Sequence, residues 1–349
     1  MRAAVYTGAR TIAVQERDAP PPGPGQVQLA VAYTGICGTD LHIFHGDMDA
    51  RVGDHAVIGH EMSGRVAALG AGVSGWQVGQ PVTVMPLAWC GACPACRAGH
   101  EHICHNLDFL GIDSAGALQG RWNVPASTLV ALPSTLPLRQ AAMIEPVAVA
   151  VHDVRRSQVR AGEQVVVVGG GPVGLLIATV AASEGAQVLL VEPNGYRRDV
   201  AAGLGLRAVD PAAVDVAAAV GDWTDGAGAA VAFEVSGAQA GVDTAVEVLA
   251  VRGRLVMVAI HPMPRQVNLH RFFWRELTLI GARLYRREDF ERAVELVAGG
   301  QVPVERLISR VVPLDDVADA FAALESGGAM KVLVDLGAAA GGGSSGEPV

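Results

Sequence analysis

The feature that most constrains the fold is a glycine turn set between a strand and a helix. Residues 163–194 read as an apolar strand, a glycine turn, an Ala- and Leu-rich helix and a second strand, which together make a βαβ unit. Residues 169–174 (GGGPVG) satisfy G-x-G-x-x-G. In this context the motif predicts a dinucleotide site, because the missing side chains let a pyrophosphate approach the backbone at the helix N-terminus. The residues expected there are Gly169, Gly171, Pro172 and Gly174.

An acidic residue at the end of the second strand bears on the choice of cofactor. Glu192 lies 18 residues past Gly174, close to the spacing of a ribose-binding acid. A carboxylate there accepts hydrogen bonds from the ribose and repels a 2′-phosphate, which favours NAD over NADP. Arg197 and Arg198 keep NADP open as the alternative, since arginine near this strand end could hold a 2′-phosphate. A turn that only closes the helix against the strand, with no ligand, is the structural alternative.

The rest of the chain divides into two kinds of sequence. The first 145 residues are rich in Gly and Pro with short apolar runs, which predicts an irregular, mostly β segment. Helices and β-branched strands then alternate, which indicates a parallel sheet covered on both faces. The predicted elements are helices at 145–154, 196–202 and 241–249 and strands at 229–234, 254–258 and 277–282. Beyond Arg286 we expect two helices and a last strand at 331–334.

The larger group of cysteines predicts a structural metal site. Cys90, Cys93, Cys96 and Cys104 form C-x2-C-x2-C-x7-C, and four thiolates at this spacing can close a tetrahedron around zinc. Two disulfides within the loop are the alternative. The N-terminus lacks the apolar segment of a signal peptide, which predicts a cytoplasmic protein with reduced cysteines.

Composition excludes several classes of partner. A net charge of −9 argues against a nucleic-acid surface. No uninterrupted apolar run reaches the ~18 residues of a spanning helix, so no membrane partner is expected. The Gly/Ser-rich residues 337–349 predict a flexible tail without a function of its own.

A second metal site is predicted from residues far apart in the sequence. Cys37 begins CGTDLH, His60 and Glu61 lie within GHEMSG, and Glu145 lies at the junction of the two halves. Cys37 and His60 with one of the two glutamates would give zinc three protein ligands and an open position. Such a zinc lowers the pKa of a bound alcohol, whose carbon can then pass a hydride to nicotinamide.

The same stretch offers an exit for the alcohol proton. Thr39 can take the proton from the substrate oxygen and pass it, through the cofactor ribose, to His42, whose pKa lies near working pH. Each residue also has a common structural role: Cys37 as a small buried hydrophobe, Thr39 as a turn cap and His42 as a surface imidazole. Their joint occurrence in one chain favours the functional interpretation.

At this point the sequence resembles the zinc-dependent medium-chain alcohol dehydrogenases over about residues 1–335. The resemblance is most specific in GICGTDLH, GHEMSG, the cysteine loop, IEPVAVAVHDV and VVVVGGGPVG. It implies an α/β protein, with a GroES-like β-rich catalytic domain at 1–145 and 284–336 that is interrupted by a Rossmann NAD-binding domain at 146–283.

The resemblance also implies roles for individual residues. Cys37 and His60 fall on zinc ligands, and Thr39 and His42 fall on the proton relay. Glu145 replaces a second cysteine, as in the polyol, butanediol and threonine dehydrogenase branch, where the third ligand is Glu61 or Glu145. The family's cofactor-contacting positions fall on Val173, Glu192, Arg197, Ser236, Ala259, Ile260, Ala282, Leu284 and Lys331, the last of which would meet the pyrophosphate.

The expected protein is therefore a zinc-dependent oxidoreductase that interconverts a secondary alcohol and a ketone with NAD. Its expected substrates are a polyol, a vicinal diol or a sugar-derived alcohol, and it would hold one catalytic and one structural zinc. The rival functions are an L-threonine 3-dehydrogenase and, from another class, a catalytically silent zinc-stabilised nucleotide-binding protein. A homodimer or homotetramer joined through the strand at 277–282 is expected. The substrate pocket would draw on Phe44, Leu110, Trp122 and the segment around Arg283.

Overall fold

The computed structural model of the protein describes residues 1–53 and 56–337. Residues 338–349, which are most of the predicted tail, lie outside the described residues, as do residues 54 and 55. The chain forms two compact units. One contains residues 1–145 and the segment from Ile308 onward, and the other contains residues 146–307. Among the residues that the structure describes, we find no helix with the length and apolar composition of a membrane span.

The elements follow one another along the chain. The strands are β1 (Arg2–Tyr6), β2 (Ile12–Glu16), β3 (Gln26–Gly35), β4 (Glu61–Leu69), β5 (Pro81–Val84), β6 (Leu87–Ala88), β7 (Asp108–Phe109), β8 (Arg121–Pro125), β9 (Leu129–Ala131), β10 (Gln164–Val168), β11 (Gln187–Val191), β12 (Arg207–Val209), β13 (Ala229–Glu234), β14 (Leu249–Met257), β15 (Thr278–Gly281), β16 (Ile308–Pro313) and β17 (Lys331–Asp335). The α-helices are α1 (Gly38–Phe44), α2 (Asp49–Val52), α3 (Pro94–Arg97), α4 (Leu138–Ala141), α5 (Ile144–Ser157), α6 (Pro172–Ser183), α7 (Gly195–Gly203), α8 (Val216–Trp223), α9 (Gln239–Glu247), α10 (Leu269–Arg275), α11 (Arg287–Ala298) and α12 (Val317–Glu325). Short 3₁₀ helices occur at Glu101–Ile103, Ala126–Thr128, Val304–Leu307 and Leu314–Asp316.

The first unit is built on a mostly antiparallel sheet with the strand order β16-β17-β3-β4-β5-β9, and β8 also pairs with β3. The β3–β4 register sets Gly35 opposite Glu61, and the β17–β3 register sets Leu333 opposite Gly35. The alternating side chains of β3 that point inward, such as Val27 and Leu29, are fully buried in one hydrophobic cluster. These pairings bring the ends of three strands from distant parts of the sequence together.

The second unit confirms the predicted parallel sheet. Its strand order is β12-β11-β10-β13-β14-β15, and every neighbouring pair is parallel. The order corresponds to the 3-2-1-4-5-6 arrangement of a doubly wound dinucleotide-binding sheet. The run Val165–Val168 is buried on both faces, as expected for a central strand covered by helices on both sides.

Two parts of the architecture differ from the sequence-based expectation. We expected the chain to return to the first domain at Leu284, whereas the segment up to Leu307 groups with the second unit. A physical reason is that Asp289 of α11 bonds to His152 of α5 at 2.8 Å and also pairs with Arg155. Strand β16 was not expected, because most of its residues are exposed and its sequence has no apolar alternation.

Candidate active site

The register of two neighbouring strands brings the predicted zinc ligands together. Cys37 follows β3 and caps α1, while His60 and Glu61 lie where β4 begins, opposite the end of β3. The Cys37 Sγ, a His60 ring nitrogen and a Glu61 carboxylate oxygen lie within 4.8 Å of one another. His60 and Glu61 are 3% and 1% exposed, so they have few competing solvent partners. This set of sulfur, nitrogen and oxygen donors fits a zinc ion.

A buried acid that the sequence analysis missed, Asp40, contacts both Cys37 and His60. Asp40 is fully buried in the first turn of α1, and its Oδ2 accepts a hydrogen bond from the backbone amide of Cys37 at 2.8 Å. Its Oδ1 lies 3.8 Å from Nδ1 of His60. Burial alone would lower the pKa of His60, but the charge of Asp40 and the neighbouring Cys37 raise it well above its usual value. The same negative field favours a bound cation.

Lys331 has a partner other than the pyrophosphate that the family resemblance implied. Its side chain is 3% exposed, and Nζ donates to both carboxylate oxygens of Glu61, at 2.6 and 2.7 Å, and to the carbonyl of Ile36 at 3.2 Å. Burial lowers the pKa of Lys331, but the charge of Glu61 outweighs it, so the pKa is raised. Because β17 pairs with β3 and β3 with β4, this ammonium is fixed at the metal-ligand group.

The two glutamates proposed as alternative third ligands occupy different positions. Glu61 shares the 4.8 Å group with Cys37 and His60. Among the described residues, Glu145 is outside this group, although it is 4% exposed and its charge contributes to raising the pKa of His60. Glu61 thus lies with Cys37 and His60 but is also paired with Lys331. Glu145 is a second carboxylate whose charge acts on His60.

The two residues of the predicted proton relay lie one turn apart on α1. Thr39 is half-buried beside the buried Asp40. The His42 side chain is 52% exposed, and its Nδ1 lies 3.1 Å from Asp47 Oδ2. The helix therefore runs from the metal-ligand group at Cys37 to an imidazole in solvent.

The four-cysteine loop has the geometry of a closed metal site. The Sγ–Sγ distances are 3.4 Å for Cys90–Cys104, 3.5 Å for Cys93–Cys96 and 3.8 Å for Cys93–Cys104. Tetrahedral zinc with Zn–S bonds of ~2.3 Å requires about 3.8 Å between sulfurs. Backbone amides stabilise the thiolate form, and those of Ala92 and Cys93 lower the pKa of Cys90 to about 6. All of these thiols are free, so the disulfide alternative is wrong.

The three glycines of the G-x-G-x-x-G motif after β10 differ in what an added side chain would meet. Gly169 has φ +108°, and a Cβ there would lie 2.9 Å from the Ser236 amide nitrogen. A Cβ on Gly174 would lie 1.9 Å from the Gly169 carbonyl oxygen, so this glycine is required for the helix to pack on the turn. A Cβ on Gly171 would meet no protein atom within 4 Å. Packing therefore explains two of the glycines and leaves open space at the third, as a pyrophosphate site requires.

Glu192 lies at the adjoining strand end, as the spacing predicted. Its Oε2 accepts from the Gly170 amide at 2.6 Å and its Oε1 from the Asn194 amide at 2.8 Å, and the residue is 3% exposed. Arg197 Nη1 lies 3.6 Å from Glu192 Oε2. Arg198 is held by the carbonyls of residues 192 and 193 and by an ion pair with Asp210. Both arginines are thus engaged at this strand end.

The other positions expected to contact the cofactor occupy the same edge of the sheet. Val173 lies in the first turn of α6. Ser236 follows β13, Ala259 and Ile260 follow β14, and Ala282 and Leu284 follow β15. In a parallel sheet these carboxyl ends form one edge, where ligands bind. The structure therefore brings the predicted second-unit positions together.

Comparison with known proteins agrees with both units. The model of the alcohol dehydrogenase GroES-like domain matches residues 23–134, and that of the zinc-binding dehydrogenase matches residues 172–299. The 2-dehydro-3-deoxy-L-galactonate 5-dehydrogenase of Pseudoalteromonas atlantica is 50% identical over 339 residues, which are 97% of this chain and 99% of that protein. The chain belongs to the zinc-dependent medium-chain alcohol dehydrogenases. The sorbitol dehydrogenase of Halalkalibacterium halodurans is 34% identical over 341 residues, covering 96% and 99% of the two chains.

A solved structure shows the same fold for this medium-chain dehydrogenase. The zinc-binding dehydrogenase of Sinorhizobium meliloti bound to NADP superposes with a TM-score of 0.91 at 31% identity, covering 96% of this chain and 98% of that one. The predicted GroES-like and Rossmann folds are confirmed. The protein is an oxidoreductase that acts on the CH–OH group of an alcohol with a nicotinamide cofactor and zinc.

Several residues expected in the substrate pocket of the dehydrogenase have other positions. Leu110 and Trp122 are 6% and 2% exposed and belong to the hydrophobic core of the first unit. Phe44 packs against Phe321, with ring centroids 5.0 Å apart. The ring that does contact a predicted zinc ligand is Phe109, which meets His60 edge to face at 5.2 Å. No sequence pattern pointed to Phe109, whereas Asp40, three residues after a capping cysteine, could have been found.

Proposed function

We propose that this dehydrogenase oxidises the C5 hydroxyl of a six-carbon sugar acid, with NAD as the hydride acceptor. The observation that carries this proposal is 50% identity, over nearly the full length of both chains, to an enzyme named for the 5-dehydrogenation of 2-dehydro-3-deoxy-L-galactonate. The sorbitol dehydrogenase, named for a neutral polyol, is 34% identical over a similar length. Both substrates belong to the expected class of sugar-derived alcohols, and the carboxylate distinguishes them.

In this proposal the chain holds two zinc ions. Cys37 and His60, with Glu61 or Glu145, would bind the catalytic ion, and the four-cysteine loop would bind the structural one. The sulfur, nitrogen and oxygen donors within 4.8 Å and the four clustered thiols support this assignment. When bound, the catalytic zinc supplies a Lewis acid that lowers the pKa of the substrate hydroxyl.

The residues of α1 would then carry the proton away. Oxidation breaks the O–H and C–H bonds of the alcohol: the C–H electron pair leaves as hydride to the nicotinamide, and the proton leaves from oxygen as the ketone forms. Thr39 would accept that proton while giving up its own hydroxyl proton, which would pass by way of the cofactor ribose, when NAD is bound, to His42 and from there to solvent. The exposure of His42 and its contact with Asp47 support the exit at this end of the helix.

The choice of NAD rests on the ribose end of the nucleotide site. The buried carboxylate of Glu192 supports binding of a ribose with a free 2′-hydroxyl and disfavours a 2′-phosphate. Engagement of Arg197 by Glu192 and of Arg198 by Asp210 supports the same choice. The NADP-bound relative makes the comparison of both cofactors a necessary measurement.

Exposed apolar surface supports the expected dimer or tetramer. Strand β15 is the last strand of its sheet, and Leu279 on it is 51% exposed. On the preceding helix α10, Phe273 and Trp274 are 76% and 67% exposed. An edge strand with apolar neighbours favours pairing with a second copy.

The test is a panel of alcohols with each cofactor. We expect NADH formation, followed at 340 nm, with the highest kcat/KM for 2-dehydro-3-deoxy-L-galactonate and much lower values for sorbitol, 2,3-butanediol and L-threonine. A preference for L-threonine or for a neutral polyol would refute the sugar-acid substrate. A preference for NADP over NAD would refute the role given to Glu192.

A further inference from the structure

A closed circuit of polar contacts joins the loops after β13 and β14. Glu234, the last residue of β13, is fully buried, and its Oε2 lies 3.0 Å from Nε2 of His261. Arg265 donates from Nε to His261 Nδ1 at 3.3 Å and from Nη2 to the Gly237 carbonyl at 2.7 Å. The Gly237 amide closes the circuit by donating to Glu234 Oε1 at 3.0 Å. The four residues therefore tie one loop to the other.

The hydrogen bond from Arg265 bears on the tautomer of the imidazole. Because Arg265 donates to Nδ1 of His261, that nitrogen is an acceptor, and the neutral ring carries its proton on Nε2, which faces Glu234. The amide and hydroxyl of Ser236 also donate to Glu234 Oε1. His261 Nε2 lies 3.0 Å from the second carboxylate oxygen, but the two groups are not aligned as a hydrogen bond, and among the described residues neither Glu234 Oε2 nor His261 Nε2 has a hydrogen-bond partner. The contact is therefore electrostatic, between two buried polar atoms that have no other partner to hold them.

These loops lie at the edge of the sheet where the cofactor is proposed to bind. Ser236 belongs to the first loop, and Ala259 and Ile260 immediately precede His261 in the second. A second pair of hydrogen bonds links the same two segments. The side-chain amide of Gln239 donates to the carbonyl of Gln266 and accepts from its backbone amide, each at 2.9 Å. The relative position of the cofactor-facing segments is therefore set by side chains that do not themselves occupy cofactor positions.

We propose that His261 is a positioning residue for the nicotinamide cofactor: with Glu234 and Arg265 it holds the loops after β13 and β14 in the arrangement that binds the dinucleotide. The inference rests on the proposed binding of NAD at this edge of the sheet. It assigns a role to a histidine that neither the glycine motif nor the family's cofactor positions include. His261 acts through the backbone around Ser236 and Ala259.

The experiment measures NADH binding directly, by fluorescence titration of the full-length protein, beside steady-state kinetics. His261→Ala should raise the Kd for NADH about tenfold, equivalent to ~1.4 kcal/mol, and raise the KM for NAD similarly. The zinc content and the KM for the alcohol should stay unchanged. His261→Gln, which can place an amide donor near the position of Nε2, should recover most of the loss. Arg292→Ala, which removes a surface ion pair of α11 with Glu184, is the matched control and should bind NADH as the unmodified protein does.

The outcomes separate this inference from the proposed function. A Kd within twofold of the unmodified protein for His261→Ala overturns the positioning role alone. If the unmodified protein itself fails to bind NADH, the proposed function falls. Should His261→Ala not fold, Arg265→Ala removes the same link without stranding the buried carboxylate, and it should weaken NADH binding in the same direction. Unaltered binding by that variant would equally overturn the inference.

Discussion

Two glycines in one turn should separate the contribution of ligand binding from that of packing. A methyl group on Gly171 meets no protein atom within 4 Å, and the backbone there, with φ −66° and ψ −179°, suits alanine. Gly171→Ala should therefore change the free energy of unfolding by less than about 1 kcal/mol, because alanine fits the folded backbone and restricts the unfolded chain. The same methyl occupies the space proposed for the pyrophosphate, so NADH binding should weaken at least about tenfold, or ~1.4 kcal/mol.

Gly174→Ala should behave in the opposite way. Its Cβ would lie 1.9 Å from the Gly169 carbonyl oxygen, so α6 must shift away from the turn. Such overpacking costs ~1–3 kcal/mol, which for domains of this size lowers Tm by about 2–12 °C. Thermal unfolding and NADH titration on both variants form the assay. Normal NADH binding by Gly171→Ala would refute the pyrophosphate position proposed at that glycine. A Tm of Gly174→Ala equal to that of the unmodified protein would refute the packing role of Gly174.

Three further predictions concern the metal sites and one buried acid. Cys37→Ser should abolish turnover while the Kd for NADH stays within about twofold, and retained turnover would contradict the proposed ligand set. Cys93→Ser should lose one zinc equivalent and unfold at a lower temperature, because a structural zinc contributes folding energy; two zincs at an unchanged Tm would contradict the assignment. Burial and the charge of Asp289 raise the pKa of Asp153 well above its usual value, and among the described residues neither of its carboxyl oxygens has a hydrogen-bond partner. The folded state thus keeps a proton that the unfolded state releases above pH ~4, so Asp153 costs stability increasingly as pH rises from there. The free energy of unfolding of Asp153→Ala, measured by denaturation, should exceed that of the unmodified protein at pH 7, and the difference should disappear at pH ~3–4. Equal stability of the two proteins at pH 7 would refute this role of Asp153.

The elements that the sequence predicted correctly are those specified by residues close together in the chain. The strand–glycine–helix unit at 163–194 and the strand Ala229–Glu234 were predicted correctly, because buried β-branched runs and glycine turns specify them within a few residues. The short helix α1 was missed, although Cys37 and Asp40 cap its start, because its seven residues give too little periodicity. Strand β16 was missed since it presents mostly exposed side chains.

The candidate site was predictable in its residue types and less so in its contacts. The joint occurrence of Cys37 and His60 with the spacing of the cysteine loop was enough to propose the donors, but the pairing of Lys331 with Glu61 depends on the register of three strands from distant parts of the chain. No local pattern encodes such a register. The same limit explains Trp122, whose place in the core follows from the pairing of β8 with β3.

The burial of Lys331 has a practical consequence, because the sequence contains no other lysine. With its ammonium enclosed by Glu61 and Ile36, no lysine side chain of the folded enzyme is open to succinimidyl esters or aldehyde cross-linkers. Attachment of such a label to residue 331 would therefore report separation of the strand ends around Cys37, His60 and Glu61, and mass spectrometry of the tryptic peptide that contains residue 331 would detect it.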